Sequence, residues 1–171
     1  MKKYYITGIS GNGKSTIAQK LKENGISAID IDEDKLCRWI NKSSKEISHW
    51  HPGLNKEFFK NHDYVCDQEK LFSIMEGMKD PVVVVGLADN QKDFINRFDK
   101  VFLFQSNPKI LFERIKDRID NDFGKHEEEQ KMILGWYKSF EKETLEQGAI
   151  AIDTSKPIDE VYNNLLKKII D

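Results

Sequence analysis

The chain has 171 residues, 39% of them hydrophobic and 33% charged. Lys+Arg 27 against Asp+Glu 29 leaves a net charge of −2, so no global field draws it to nucleic acid or to an anionic membrane. The length suits one domain spanning 1–171, and the longest apolar run, Val82 to Ala88, is far too short to cross a bilayer.

The N-terminal residues run directly into strand-like sequence, without the apolar core of a signal peptide. Cys37 and Cys66 lie far apart with no CxxC spacing, which predicts neither a zinc site nor a disulfide framework. Both are expected to be buried apolar fillers. A cytoplasmic protein is expected, a monomer or weak dimer, with no membrane partner and no dedicated nucleic-acid binding.

Lys3–Thr7 predicts a first strand, followed by a glycine-rich turn. A helix from about Lys14 to Asn24 carries Ile17 and Leu21 on one face and stops at Gly25. Ile26–Asp30 predicts the second strand. From Trp39 to His62 the periodicity weakens and aromatic, His, Lys and Ser residues mix, as expected of an inserted substrate-side segment. Within it His49-Trp50-His51 reads as a surface loop, because no third metal ligand is placed and Pro52-Gly53 follows.

Pro81–Gly86 is a continuous valine run, the pattern of a strand buried on both faces. Lys100–Gln105 and Ala149–Asp153 complete five strands. Leu111, Ile115 and Ile119 predict one helical stripe, and Ile133, Trp136, Tyr137 and Phe140 another that belongs to the core. Ile158, Val161, Leu165 and Ile169 give the last helix its apolar face. Strands alternating with helices of this length predict an α/β three-layer sandwich with a parallel sheet, whose ligand sits at the carboxyl ends of the strands.

Gly8-Ile9-Ser10-Gly11-Asn12-Gly13-Lys14-Ser15 matches GxxxxGK[ST] in full, between a strand and a helix. Its glycines let successive backbone N–H groups converge on phosphates, and the helix N-terminus adds a favourable dipole. Gly8, Ser10, Gly11, Asn12, Gly13, Lys14, Ser15 and Thr16 are therefore the candidate ATP-binding residues. Lys14 can reach the β- and γ-phosphates, and the Ser15 hydroxyl can ligate Mg²⁺. A GTPase would need NKxD and DxxG, and neither occurs; a large motor ATPase would need more chain. A small-molecule kinase is the natural reading.

With these motifs the chain resembles the adenylate-kinase and shikimate-kinase group of P-loop kinases over most of its length. It is most similar to a bacterial branch of small ATP-binding proteins. That branch carries GxSGxGKS, an aspartate pair after strand two, SNQ or DNQ, and NxFGK. The resemblance implies a P-loop NTPase sandwich with five parallel strands in the order 2-3-1-4-5, a substrate segment near 33–80 and a short lid near 118–128.

By two-residue periodicity Asp30 and Asp32 share a face at the end of the second strand. The shikimate-kinase-like reading makes Asp30 an outer-shell Mg²⁺ partner, replacing the acid that the third strand lacks after Val85-Gly86. It makes Asp32 the group that accepts or orients the substrate hydroxyl. The alternative is that Asp32 or Asp34 caps a helix beginning near Lys35. In Gly86-Leu87-Ala88-Asp89-Asn90-Gln91 the family's glycine and glutamine are present and its arginine is missing. Asn90 and Gln91 could contact a base or sugar there, or Asp89 and Asn90 could cap a helix.

Arg114 and Arg118 stand four apart and line one side of a helix, which Asn121-Asp122-Phe123-Gly124-Lys125 then breaks. Glu127-Glu128-Glu129 starts the next helix with acids at its positive end. In the related kinases lid arginines occupy this position, and cations delivered by a closing loop stabilise the transferred phosphoryl group. A solvated helix face is the alternative. Lys156, in Asp153-Thr154-Ser155-Lys156-Pro157, falls where such kinases lay a loop against adenine, or in a plain connection. The expected function is ATP- and Mg²⁺-dependent phosphorylation of a small acceptor, a nucleoside monophosphate or nucleoside. The alternatives are a hydroxylated metabolite or a non-catalytic ATP-binding switch.

Overall fold

A computed structural model describes residues 1–117, 119 and 122–170. Five strands, β1 (Lys3–Thr7), β2 (Ser27–Asp30), β6 (Val82–Val85), β7 (Lys100–Gln105) and β8 (Ile150–Asp153), form one sheet in the order β2-β6-β1-β7-β8. Every pair in it is parallel. This is the 2-3-1-4-5 order and the α/β P-loop architecture that the resemblance implies.

Alternation of side chains across the strands divides the core into two. Tyr4, Ile6, Val83, Val85, Phe102 and Phe104 point to the face covered by helices α1 (Lys14–Glu23) and α6 (Ile158–Ile170), meeting Ile17, Leu21 and Leu165. Tyr5, Val82 and Val84 point the other way, to Leu71 and Met75 of α3 (Gln68–Glu76) and to Phe94 and Phe98. All four residues of β6 are buried, which is why that strand tolerates no alternation. A third cluster joins Ile9 to Leu111 and Ile115 of α4 (Pro108–Asp117) and to Ile133 and Tyr137 of α5 (Glu127–Glu146). It holds the glycine-rich turn against two helices.

Between β2 and β6 lies a second sheet that the weak periodicity of this segment did not predict. The strands β3 (Cys37–Asn41), β4 (Ile47–Ser48) and β5 (His62–Cys66) are antiparallel in the order β4-β3-β5. Trp39 faces Tyr64, and Cys37 faces Cys66. The helix α2 (Lys56–Asn61) packs beside them, capped by the Asn55 side chain. No helix begins near Lys35. The chain turns there with Lys35 at φ 53 and enters β3, so the capping alternative for Asp32 and Asp34 falls away.

Two further expectations are corrected. Helix α4 ends at Asp117, so Ile119 leaves the stripe of Leu111 and Ile115 and is 98% exposed. Of the aromatic stripe on α5 only Tyr137 is buried; Trp136 and Phe140 are partly exposed and face a cleft.

Gly86, at φ 153, ends β6 where a Cβ would overlap the Ile31 side chain. Gly25, at φ 75, has open space around it. Gly86→Ala therefore suffers both backbone strain and overlap and loses about 2–4 kcal/mol of unfolding free energy. Gly25→Ala bears the strain alone, about 1 kcal/mol. Urea unfolding of the two variants checks the difference.

Candidate active site

The glycine-rich loop follows β1 with Gly8, Gly11 and Gly13 all at positive φ. At Gly8 a Cβ would stand 2.6 Å from the Phe104 carbonyl oxygen, so only glycine lets the loop lie this close to β7. Lys14, buried at the start of α1, donates to the carbonyl oxygens of Gly8 at 2.5 Å and Ile9 at 3.1 Å. Its ammonium thus arches over the loop. Ser15 is half-buried and Thr16 exposed on the first turn of α1.

The Asn12 side chain serves the loop itself. It is buried, with Nδ2 donating to the Phe104 carbonyl at 2.9 Å and Oδ1 accepting from the Ser106 hydroxyl at 2.6 Å. Its amide anchors the loop to the end of β7 rather than reaching toward a ligand.

Asp30 is buried at the end of β2. Its Oδ1 accepts the backbone N–H groups of Asp32 at 3.0 Å and Glu33 at 3.3 Å. Its Oδ2 is buried and has no hydrogen-bond partner among the described residues. An oxygen desolvated in this way calls for a cation or a water, and with the Ser15 hydroxyl it supplies the hard oxygen donors that Mg²⁺ prefers. The residues present fit an outer-shell role for Asp30.

The turn that Asp30 organises brings Asp32 to the wall of a cleft of about 1080 Å³ that also contains Ser10 and Lys14. The Tyr64 hydroxyl donates to Asp32 Oδ1 at 2.7 Å. The carboxylate reaches solvent through the cleft mouth but has protein on its other sides. Burial raises its pKa above the ordinary value, while the Tyr64 hydrogen bond and the Lys14 charge pull it down. The cleft's remaining walls are aromatic. Trp39, Phe59 and Tyr64 come from the second sheet and α2, Trp136 and Phe140 from α5, and Trp50 and Phe123 meet edge to face at 5.8 Å. The three tryptophans of the chain all line it. None of this aromatic wall except the position of the segment was legible in the sequence, and His49 and His51 do remain exposed beside Trp50. Among the described residues no group of His, Cys, Asp and Glu could hold a metal as a cluster of three or more.

Gln91 lines the cleft, its Oε1 accepting from the Thr7 hydroxyl at 2.9 Å. Asn90 does not. Its Oδ1 accepts from the Cys66 N–H at 2.9 Å and its Nδ2 donates to the Cys66 carbonyl at 3.0 Å. Both polar atoms are spent on the backbone, so the expected substrate contact at Asn90 is corrected to a structural one. Asp89 does similar work, accepting from the Tyr64 N–H at 2.6 Å while its own N–H donates to the Tyr64 carbonyl. These bonds fasten β5 to the chain leaving β6 and so hold Tyr64 beside Asp32.

Arg114 donates to the Thr154 carbonyl at 2.7 Å. This fastens α4 to the loop after β8, where Lys156 is exposed, and Arg114 is not part of the cleft wall. Arg118 lies outside the described residues. After it, Glu129 is fully buried and accepts from the Gly124 N–H at 2.7 Å, closing the start of α5.

Comparison with known proteins agrees with this geometry. Residues 5–135, from β1 into α5, match the AAA domain family, and the chain belongs to it. Within that P-loop class it is a small-molecule kinase by relationship. It is 30% identical to a probable thymidylate kinase of Methanococcus maripaludis, over 96% of this chain and 92% of that protein. A thymidylate kinase of Malacoplasma penetrans is 36% identical over 43% of this chain, and that match spans only 37% of the relative. In fold it resembles the deoxyadenosine kinase of M. mycoides with bound dATP, at TM-score 0.60 and 18% identity over 99% of this chain and all of that one. No helix among the described residues is long and apolar enough to cross a membrane.

Asn90→Ala leaves two backbone groups of Cys66 without partners and lowers stability by about 2–3 kcal/mol. Thermal or urea unfolding reads this loss with no ligand present. A variant of unchanged stability would return Asn90 to the list of substrate contacts.

Proposed function

We propose that the protein uses ATP and Mg²⁺ to phosphorylate a hydroxyl group of a nucleoside-type acceptor. The observation that carries the reading is the Asp32 carboxylate, held by Tyr64 on the wall that contains Lys14 and opens into the aromatic cleft. Aromatic walls suit a planar base by stacking, and a carboxylate beside the phosphate loop suits a hydroxyl that must lose its proton.

In the proposed reaction the acceptor oxygen forms a bond to the γ-phosphorus, the bond from that phosphorus to the β-phosphate oxygen breaks, and ADP leaves. Asp32 takes the hydroxyl proton. Lys14 moves from its own loop carbonyls to the phosphate oxygens, and the loop N–H groups orient the chain of phosphates. Mg²⁺ bound to the Ser15 hydroxyl, with Asp30 behind it, would offset the charge on the β- and γ-oxygens. Gln91 meets the acceptor inside the cleft. Arg118 delivers positive charge from the lid, while Arg114 and Lys156 border the adenine side through the loop after β8.

A nucleoside monophosphate is the second reading. Lys56, Lys60 and Lys92 also line the cleft and could meet an acceptor phosphate. Lys56 and Lys92 are paired with Glu128 and Glu143, which favours the uncharged acceptor. An ADP-release screen over nucleosides, nucleoside monophosphates, sugars and shikimate-like acids separates the classes. Turnover stimulated by a nucleoside is expected. Stimulation only by monophosphates installs the second reading, and none anywhere in the panel supports a switch.

Two variants test the roles. With Asp32 as base, turnover falls as pH drops through its pKa, which lies above the ordinary 3.8. Tyr64→Phe removes a hydrogen bond that favours the ionised form, so the acid limb of kcat/KM moves to higher pH. Asp30→Asn keeps the Oδ1 acceptor of the turn but loses the charge, so it weakens Mg²⁺-dependent turnover at least about tenfold, relieved in part by added Mg²⁺, while metal-free nucleotide binding changes little. A loss that added Mg²⁺ does not relieve would mark Asp30 as merely structural.

A further inference from the structure

Cys37 begins β3 and Cys66 ends β5, and the antiparallel pairing sets them directly opposite each other. Facing residues on such strands have Cα atoms about 4.5–5.5 Å apart. That lies within the roughly 4.4–6.8 Å that a disulfide spans. Both cysteines are free thiols. These are the chain's only two cysteines, and 28 intervening residues of sequence hid their contact.

Their position in the fold gives the pair leverage. Cys66 is buried in the core under β6, and the half-buried Cys37 packs on the same cluster. Here the second sheet joins the main body. The N–H and C=O of Cys66 are both held by Asn90, and Leu36, just before Cys37, is bonded to Ile31 and Asp67. Two residues along each strand, on the same face as the thiols, stand Trp39 and Tyr64, which wall the cleft. Tyr64 in turn holds Asp32.

We propose that Cys37 and Cys66 form a reversible oxidation site for small hydroperoxides, giving a cross-strand disulfide that clamps the second sheet at its base. The chemistry follows from the contact. The thiolate of one cysteine attacks hydrogen peroxide, the O–O bond breaks, and that sulfur becomes a sulfenic acid with loss of hydroxide. The other sulfur then attacks it, the S–O bond breaks, and the departing hydroxide takes the second thiol's proton as water. Counting the proton lost by the first thiol, two thiols and one peroxide give one disulfide and two waters. Cys37 supplies the opening to solvent through which a small oxidant enters. The site does not depend on which acceptor the cleft takes.

The test uses the full-length protein treated with dilute hydrogen peroxide and needs no substrate. Intact mass is expected to fall by two hydrogen atoms, with a Cys37–Cys66 peptide recovered without reduction. Closing the loop between the two positions is expected to raise Tm by roughly 5–10 °C, and dithiothreitol to reverse both changes. Cys37→Ser should show neither the mass loss nor the rise in Tm. Two titratable thiols surviving treatment, stepwise oxygen addition without loss of two hydrogens, or a disulfide only between chains would overturn the proposal. So would the same rise in Tm in the Cys37→Ser protein. The cysteine replaced is the less buried of the two, and Cys37→Ala gives a second version should serine disturb the fold.

Discussion

The buried carboxylate of Asp30 is the hinge on which fold and site turn together. At the end of β2 the chain must leave a parallel sheet and start an insertion, which exposes backbone N–H groups that the sheet no longer satisfies. Asp30 Oδ1 accepts two of them, from Asp32 and Glu33, and the Asp30 N–H in turn donates to Asp34 at 3.1 Å. The resulting turn is tight enough to bring Asp32 back over the carboxyl end of the sheet. One acid thus ends a strand, aims a second acid, and keeps one desolvated oxygen without a partner among the described residues. A polar group left so in a protein interior is costly unless a ligand supplies the missing partner.

A second constraint lies in how the insertion is anchored. A small antiparallel sheet needs a hydrophobic face or a packed partner to be stable, and this one has a two-residue edge strand and mostly half-exposed residues. Here β5 borrows stability from the main body through Asp89, Asn90 and the burial of Cys66. The outer part of the sheet can then carry a wall of aromatic side chains at a cleft, where they remain partly wet. Trp39 packs within about one ring width of Phe58, Phe59 and Tyr64, with centroids 5.3, 5.6 and 5.0 Å away. This small aromatic cluster shapes one side of the cleft, while the side formed by the glycine-rich loop is set by glycine geometry. The two halves of the site have different physical origins.

That difference explains what could be read from the sequence. The phosphate loop, the valine strand and the parallel α/β sandwich rest on local chemistry: glycines at fixed offsets, a run buried on both faces, and strands alternating with helices; the order of the strands was implied by the family resemblance. The aspartate pair was visible at the end of the second strand, but two-residue periodicity does not describe it, because β2 ends at Asp30 and Asp32 lies in the turn beyond. The insertion was opaque because its strands pair across a long loop and have mixed faces, so neither period dominates. The register that sets Cys37 against Cys66 is a non-local fact. Asn90 looked like a ligand because it is polar and adjacent to the site, yet its amide matches a backbone N–H and C=O pair that only the folded chain brings near. Ile119 kept the helical spacing of Leu111 and Ile115 after the helix itself had ended.

The central claim is that Asp32 serves the chemistry of the acceptor hydroxyl rather than its binding. Asp32→Asn keeps the shape of the side chain and can still accept from Tyr64, but it is a far weaker base. The decisive measurement is kcat for the best nucleoside acceptor beside its Kd, the latter read from the fluorescence of the cleft tryptophans. The account predicts a fall in kcat of about 100-fold or more with Kd changed less than about threefold. Full retention of kcat, or a loss that appears wholly in Kd, would contradict it.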